Sequence, residues 1–384
     1  MHRLTRTPIA ALFLWAITIN PSQAHLGHAH EEEAVAHEHA KHRTLALTGL
    51  IAPVKILAQA QAAGSQTLSG QGSWRFKWRP DLSRVPVSEA VLAKAHGGFA
   101  VDRSVPHNQR TTMFGLPGAG QIRISPDLKD MVVVGGDPSM VNANWNYHNA
   151  TFFYLKGEAF LIWPSNNAGR VWITNGEGKL LRTFVKPPQV EGGFSPTDGE
   201  FVDGKLLVPS GYADRFIYSA DPFGEGTQGV WDEHRWGGRG PKEKHGAFST
   251  SHGITRVPHT NVLTVSDREH ERLQTFTKLG HYIGGVDFEK GTMPCDVDYD
   301  DTGRFAVVGC LKGPGGTTPA PFYILENGNI LSKVTPGDLG VPNAKHIHNA
   351  SFRVLEKPNG DKQWFVLVLF WNPGGYAVLE REGS

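Results

Sequence analysis

Cysteine is nearly absent from this 384-residue chain: Cys295 and Cys310 are the two it has. Thiol chemistry is therefore not where its function is sought. One-signed charge is also lacking. Lys plus Arg number 38 against 37 Asp plus Glu, a net charge of +1, and no basic block stands out. That removes the electrostatic case for nucleic acid or an anionic membrane surface. Beyond residue 24 no stretch is long and apolar enough to span a bilayer, so no membrane insertion is expected once the leader is removed. Helix-period stretches of useful length are missing as well, which argues against a helical fold.

Glycine (45), proline (25), Phe (20) and Trp (10) are plentiful. Many turn formers with many aromatics point to short strands. At the N-terminus Arg3 and Arg6 precede the apolar run Ile9 to Ile19, and Ser22-Gln23-Ala24 offers small residues at a cleavage site. This pattern reads as a signal peptide over 1–24 and predicts a periplasmic or secreted protein. Residues 25–42 follow with His25, His28, His30, His37, His39 and His42 among acids and alanines. Such a segment cannot build a core and is expected to be flexible. Its histidines suggest metal capture, imidazole being a common ligand of Zn²⁺ and Cu²⁺; a plain solvated linker is the other reading. Residues 43–72 read as linker, with a short helix around Val54 to Ala63. In an oxidising compartment Cys295 and Cys310, flanking the turn at Asp301-Thr302-Gly303, are expected to pair.

From about residue 73 to 384 short β-rich runs recur: 121–125, 131–134, 160–163, 171–174, 206–209, 262–266, 305–308 and 364–370. Turn signals at Glu177-Gly178, Asp203-Gly204, Thr302-Gly303, Asn327-Gly328 and Asn359-Gly360 separate them. Tyr147-His148-Asn149-Ala150-Thr151-Phe152 is echoed by Ile347-His348-Asn349-Ala350-Ser351-Phe352. Between them stand Thr197-Asp198-Gly199, Ser251-His252-Gly253 and Cys295-Asp296-Val297, and before them His96-Gly97-Gly98-Phe99. Steps of 44 to 54 residues between positions 148, 198, 252, 296 and 348 fit propeller blades. Six starts predict an all-β, six-bladed propeller.

The first strand of each blade lines the central channel, and alternate blades are related by threefold rotation. His148, His252 and His348 belong to blades two, four and six. They are therefore expected to converge on one axial metal ion, as in a three-ligand site with an open position. Asp198 and Asp296, on blades three and five, would support the ligands or the strand ends. His96 and His346 are weaker ligand candidates.

Ser210-Gly211-Tyr212-Ala213-Asp214-Arg215 and Phe248-Ser249-Thr250-Ser251-His252-Gly253 resemble blade motifs of the peptidyl-α-hydroxyglycine α-amidating lyases. So does the run from Val265-Ser266-Asp267-Arg268 to Phe276, which is also similar to NHL-repeat propellers in general. The likeness covers about 148–384 and is patchy outside these two blades. It implies a six-bladed propeller with axial Zn²⁺ on His148, His252 and His348, with Tyr212 as catalytic base and Arg268 as an active-site arginine. The family's reaction cleaves a carbinolamide C–N bond. A further arginine is implied on the first blade, with Arg103, Arg110 and Arg123 as candidates, and the family's cysteine after the tyrosine is Ala213 here. Arg268 also has two acidic neighbours, Asp267 and Glu269, with which it could form an ion pair.

Three functions remain open on the sequence. The chain is a metal-binding propeller holding Zn²⁺ or Cu²⁺, or a metal-dependent lyase acting on a small-molecule or peptide substrate, or a non-catalytic interaction scaffold.

Overall fold

The structure is a computed structural model and describes residues 67–224 and 226–384. The signal peptide, the histidine-rich segment and the helix around Val54 to Ala63 lie outside the described residues.

Each β-rich run named above folds as a strand, and the turn signals fall between strands. Consecutive strands pair antiparallel into six sheets, five of four strands and one of five. These are the blades of a six-bladed propeller, as the repeat spacing predicts. The first strands are Ala100–Val101, Thr151–Leu155, Glu200–Val202, Ser251–Arg256, Met293–Tyr299 and Ile347–Glu356. Each packs beside the next around the axis.

The ring closes with chain from both ends. In the sixth blade Ile347–Glu356, Lys362–Phe370 and Gly375–Arg381 are followed outward by Trp74–Trp78 and then Ser69–Gln71. Strand Ser69–Gln71 thus falls in the span assigned above to the linker. Trp78 pairs with Leu379 and Phe76 with Arg381. Phe76 is fully buried and meets Phe322 of blade five edge-on, with centroids 5.5 Å apart. Burying such a ring contributes about 2–3 kcal/mol, so closure is fixed by packing as well as by the ladder. Between blades, aromatic and branched side chains fill the wedges. One wedge holds Leu161, Trp163, Trp172 and Tyr147, all fully buried.

The expected disulfide is not formed: Cys295 and Cys310 are free, buried thiols. The cause is register. Cys310 stands opposite Pro294 and Gly309 opposite Asp296, with a bulge between, so Cys295 has no cross-strand cysteine partner. Among the described residues no helix is long and apolar enough to cross a membrane.

Candidate metal centre

His148 lies just before the first strand of its blade, while His252 and His348 lie within theirs. All three are buried. The structure brings them together on the axis. Ring centroids are 4.7 Å apart for His148–His252, 4.6 Å for His148–His348 and 4.9 Å for His252–His348.

Each ring is oriented by the next blade. His148 Nδ1 donates to the Thr197 carbonyl at 2.5 Å, His252 Nδ1 to the Cys295 carbonyl at 2.8 Å, and His348 Nδ1 to the Gly97 carbonyl at 3.3 Å. A carbonyl only accepts, so Nδ1 carries the proton and Nε2 is left as a lone pair. Burial, with neighbouring positive groups, holds the pKa of all three rings well below the ordinary histidine value. They are neutral imidazoles, the form that binds metal.

Tyr212 and Arg268 join the same centre. Tyr212 Oη lies 3.0 Å from His148 Nε2 and 2.8 Å from His252 Nε2. One hydroxyl proton serves at most one of these two lone pairs. Arg268 Nη1 donates to Tyr212 Oη at 3.0 Å, and the guanidinium lies 5.2 Å from the ring centroid. Burial raises the Tyr212 pKa to about 12 despite the opposing pull of Arg268. Burial works against the charge of Arg268, but Tyr212, Cys295 and Glu269 hold its pKa above the ordinary value. Of its two acidic neighbours Arg268 pairs with Glu269, at 2.6 Å. Asp267 instead accepts from Ser249 N, Arg272 Nε, His270 Nδ1 and Gln274 Nε2, and so fixes the turn that carries Arg268. Gly211 is required where it stands: a Cβ there would lie 2.4 Å from the Ser251 carbonyl. That close approach seats Tyr212 against the strand bearing His252.

Below the imidazoles lies a polar layer. Asp198 accepts from Gly199 N and Ile254 N, each at 2.7 Å. Asp296 accepts from Val297 N at 2.8 Å, from Asn149 Nδ2 at 2.9 Å and from Asn349 Nδ2. Of the two roles expected for these aspartates, the structure shows support of strand ends. The histidines are held instead by the backbone carbonyls one residue earlier. Burial raises both carboxyl pKa values well above the ordinary range.

His346 turns away from the centre, its Nδ1 donating to the Leu311 carbonyl at 2.7 Å. Arg103 and Arg110 bind Asp298 and Asp301, and Arg123 is exposed. The arginine that touches the centre is Arg268. The first blade contributes His96, whose ring lies 4.8 Å from His148 and 4.2 Å from His348. The ligand-capable atoms of His96, His148 and His348 all lie within 4.8 Å of one another. A tetrahedral Zn²⁺ with Zn–N of 2.0–2.1 Å sets its nitrogens about 3.4 Å apart and its ring centroids about 5 Å apart. The pairs among His148, His252 and His348, and those of His96 with His148 and His348, already have that spacing, and the nitrogens of His96, His148 and His348 need to draw in by about 1.4 Å at most. The donor set fits a borderline cation such as Zn²⁺ or Cu²⁺.

No family model matches this chain. A 106-residue stretch is 39% identical to the peptidyl-glycine alpha-amidating monooxygenase of Mus musculus, covering 26% of this chain and 10% of that protein. The chain thus spans about a tenth of that relative's length. Among solved structures, the hydrazine synthase of Kuenenia stuttgartiensis is similar at TM-score 0.35 and 14% identity, over 56% of this chain and 53% of that one. A Bacteroides caccae protein of unknown function is similar at TM-score 0.42 and 14% identity, over 65% and 79%.

Proposed function

We propose that this chain is an extracytoplasmic metal-binding propeller that holds one Zn²⁺, with Cu²⁺ as the alternative, through Nε2 of His148, His252 and His348. One observation carries the reading. Three imidazole rings meet on the axis, each with its Nδ1 committed to a carbonyl and its Nε2 left as a lone pair, and the Tyr212 hydroxyl offers one proton among them. His348 Nε2 has no partner. Buried lone pairs left in this state are costly, and a cation satisfies them together. The histidine-rich segment 25–42 serves to collect the ion, and the N-terminal signal directs the chain out of the cytoplasm.

The test is elemental analysis of protein purified from its native compartment, followed by chelation and retitration. One tightly bound equivalent is expected, lost in the His148→Ala, His252→Ala and His348→Ala variants. Deleting residues 25–42 is expected to slow loading while leaving that equivalent in place. Retention of the tight equivalent by all three alanine variants would refute the site.

A second reading is favoured by the placement of Tyr212 and Arg268 beside the imidazoles, together with the partial match to the amidating monooxygenase. In it the protein is a metal-dependent lyase on a hydroxyglycine-type substrate. The ion supplies Lewis-acid polarisation when bound. Tyr212, as the phenolate that a bound cation and Arg268 would favour against the effect of burial, would accept the substrate's hydroxyl proton, and Arg268 would stabilise negative charge. Release of glyoxylate, abolished by Tyr212→Phe, would support this reading. Its absence from the metal-loaded wild type would exclude it.

A further inference from the structure

We propose that His96 is a fourth ligand of the axial ion, bound through Nδ1, which closes the centre as an all-imidazole site. This rests on the axial site proposed above and fixes its state at rest.

The argument begins with the near-threefold repeat. The three ring-orienting carbonyls belong to Gly97, Thr197 and Cys295, on blades one, three and five. The residues immediately before them are His96, Pro196 and Pro294. At equivalent places in the ring, two odd-numbered blades present a side chain with no donor atom and the first presents an imidazole. His96 lies 4.2 and 4.8 Å from His348 and His148, close to the 4.6–4.9 Å separations among the other three rings, and faces His252 across that pair. The residue is 7% exposed, and its buried Nδ1 has no hydrogen-bond partner. Trp371 lies 5.4 Å away on the ring and backs it. Two orphaned nitrogens, His96 Nδ1 and His348 Nε2, thus belong to adjacent buried rings. One shared cation satisfies both.

The functional consequence is specific. A tetrahedral ion with four imidazoles has no vacant position for a substrate oxygen, the arrangement of sites that hold a metal rather than use it. His96 then occupies the place that the lyase reading needs open. This favours storage or delivery of the ion over chemistry at it.

The full chain, stripped of metal, is loaded with one equivalent of Co²⁺ as a spectroscopic substitute and, separately, with Zn²⁺ against a competing chelator. The wild type is expected to show the intense visible bands of a four-coordinate site. His96→Ala is expected to weaken and shift those bands, to lower Zn²⁺ affinity by at least about tenfold, and to regain the wild-type spectrum when free imidazole is added. His96→Gln, which keeps the bulk, is expected to weaken the bands and the affinity likewise but to gain nothing from added imidazole. The 25–42 segment is common to all variants, so differences among them belong to the axis. Unchanged spectrum and affinity in both His96 variants, with binding lost in His252→Ala and His348→Ala, would overturn the fourth ligand and leave the three-histidine site standing. Binding unchanged in His252→Ala and His348→Ala would overturn both.

Discussion

Replacing Gly98 by alanine should reveal how tightly the axis is packed beneath the imidazoles. A Cβ at position 98 would sit 1.6 Å from Asn149 Oδ1 and 2.8 Å from Asn349 Nδ2. Asn149 cannot simply swing aside. Its Oδ1 accepts from Ala150 N at 2.9 Å and its Nδ2 donates to Asp296 at 2.9 Å. Displacing it breaks one short neutral hydrogen bond, about 1 kcal/mol, a long one from Asn349 Nδ2 at 3.4 Å that adds little, and one to a buried carboxyl group, about 1.5–3 kcal/mol. Asn349, the other donor to Asp296, is crowded as well. The expected cost of Gly98→Ala is therefore about 3 kcal/mol, read from the urea midpoint of metal-free protein at unchanged slope. The check is a double-mutant cycle. In an Asn149→Ala background the clashing amide is gone, and the Gly98→Ala penalty should fall below about 1 kcal/mol, a coupling of about 2 kcal/mol. Equal penalties in the two backgrounds would refute the reasoning. Because the Gly97 carbonyl orients His348, Gly98→Ala should weaken metal binding too.

Three further outcomes are expected. Tyr212→Phe removes the hydroxyl that lies between His148 and His252 Nε2 and donates to one of them, a competitor that the incoming ion must displace; metal affinity should rise about fivefold, as a chelator competition would show. Asp296 has a raised pKa in the fold, so its contribution is full in acid and is lost as pH rises from its ordinary value of 3.8 towards about 7. Asp296→Asn should accordingly gain on the wild type by up to about 3 kcal/mol between pH 4.5 and 8 in metal-free unfolding experiments, and a gap independent of pH would sink this account. Phe76→Ala should cost about 3–5 kcal/mol by opening the closure between blades five and six, measured by chemical denaturation.

The repeat of His-Asn and Asp-Gly starts is enough to count the blades and to choose the three axial histidines, because each start sits on or beside the strand nearest the axis. Several features are silent in the sequence. Ser69–Gln71 is three residues long and pairs in a tight hairpin with Trp74–Trp78, but the rest of its blade comes from the other end of the propeller sequence, so nothing local marks the hairpin as the outer edge of blade six. The atoms that orient His148, His252 and His348 are backbone carbonyls, which leave no mark on composition. The bulge that separates Cys295 from Cys310 is a matter of register, invisible in a spacing count. His96 is legible in the sequence as the first blade start and as a weaker ligand candidate; its place beside the other rings emerges from the carbonyl pattern, which sets it against Pro196 and Pro294.

The most direct measurement is anomalous diffraction above and below the zinc and copper absorption edges, from crystals of protein carrying its native metal. A single peak is expected on the propeller axis, about 2.0–2.1 Å from Nε2 of His148, His252 and His348. An axis without a peak, or an ion bound elsewhere while those three rings remain unliganded, would contradict the account.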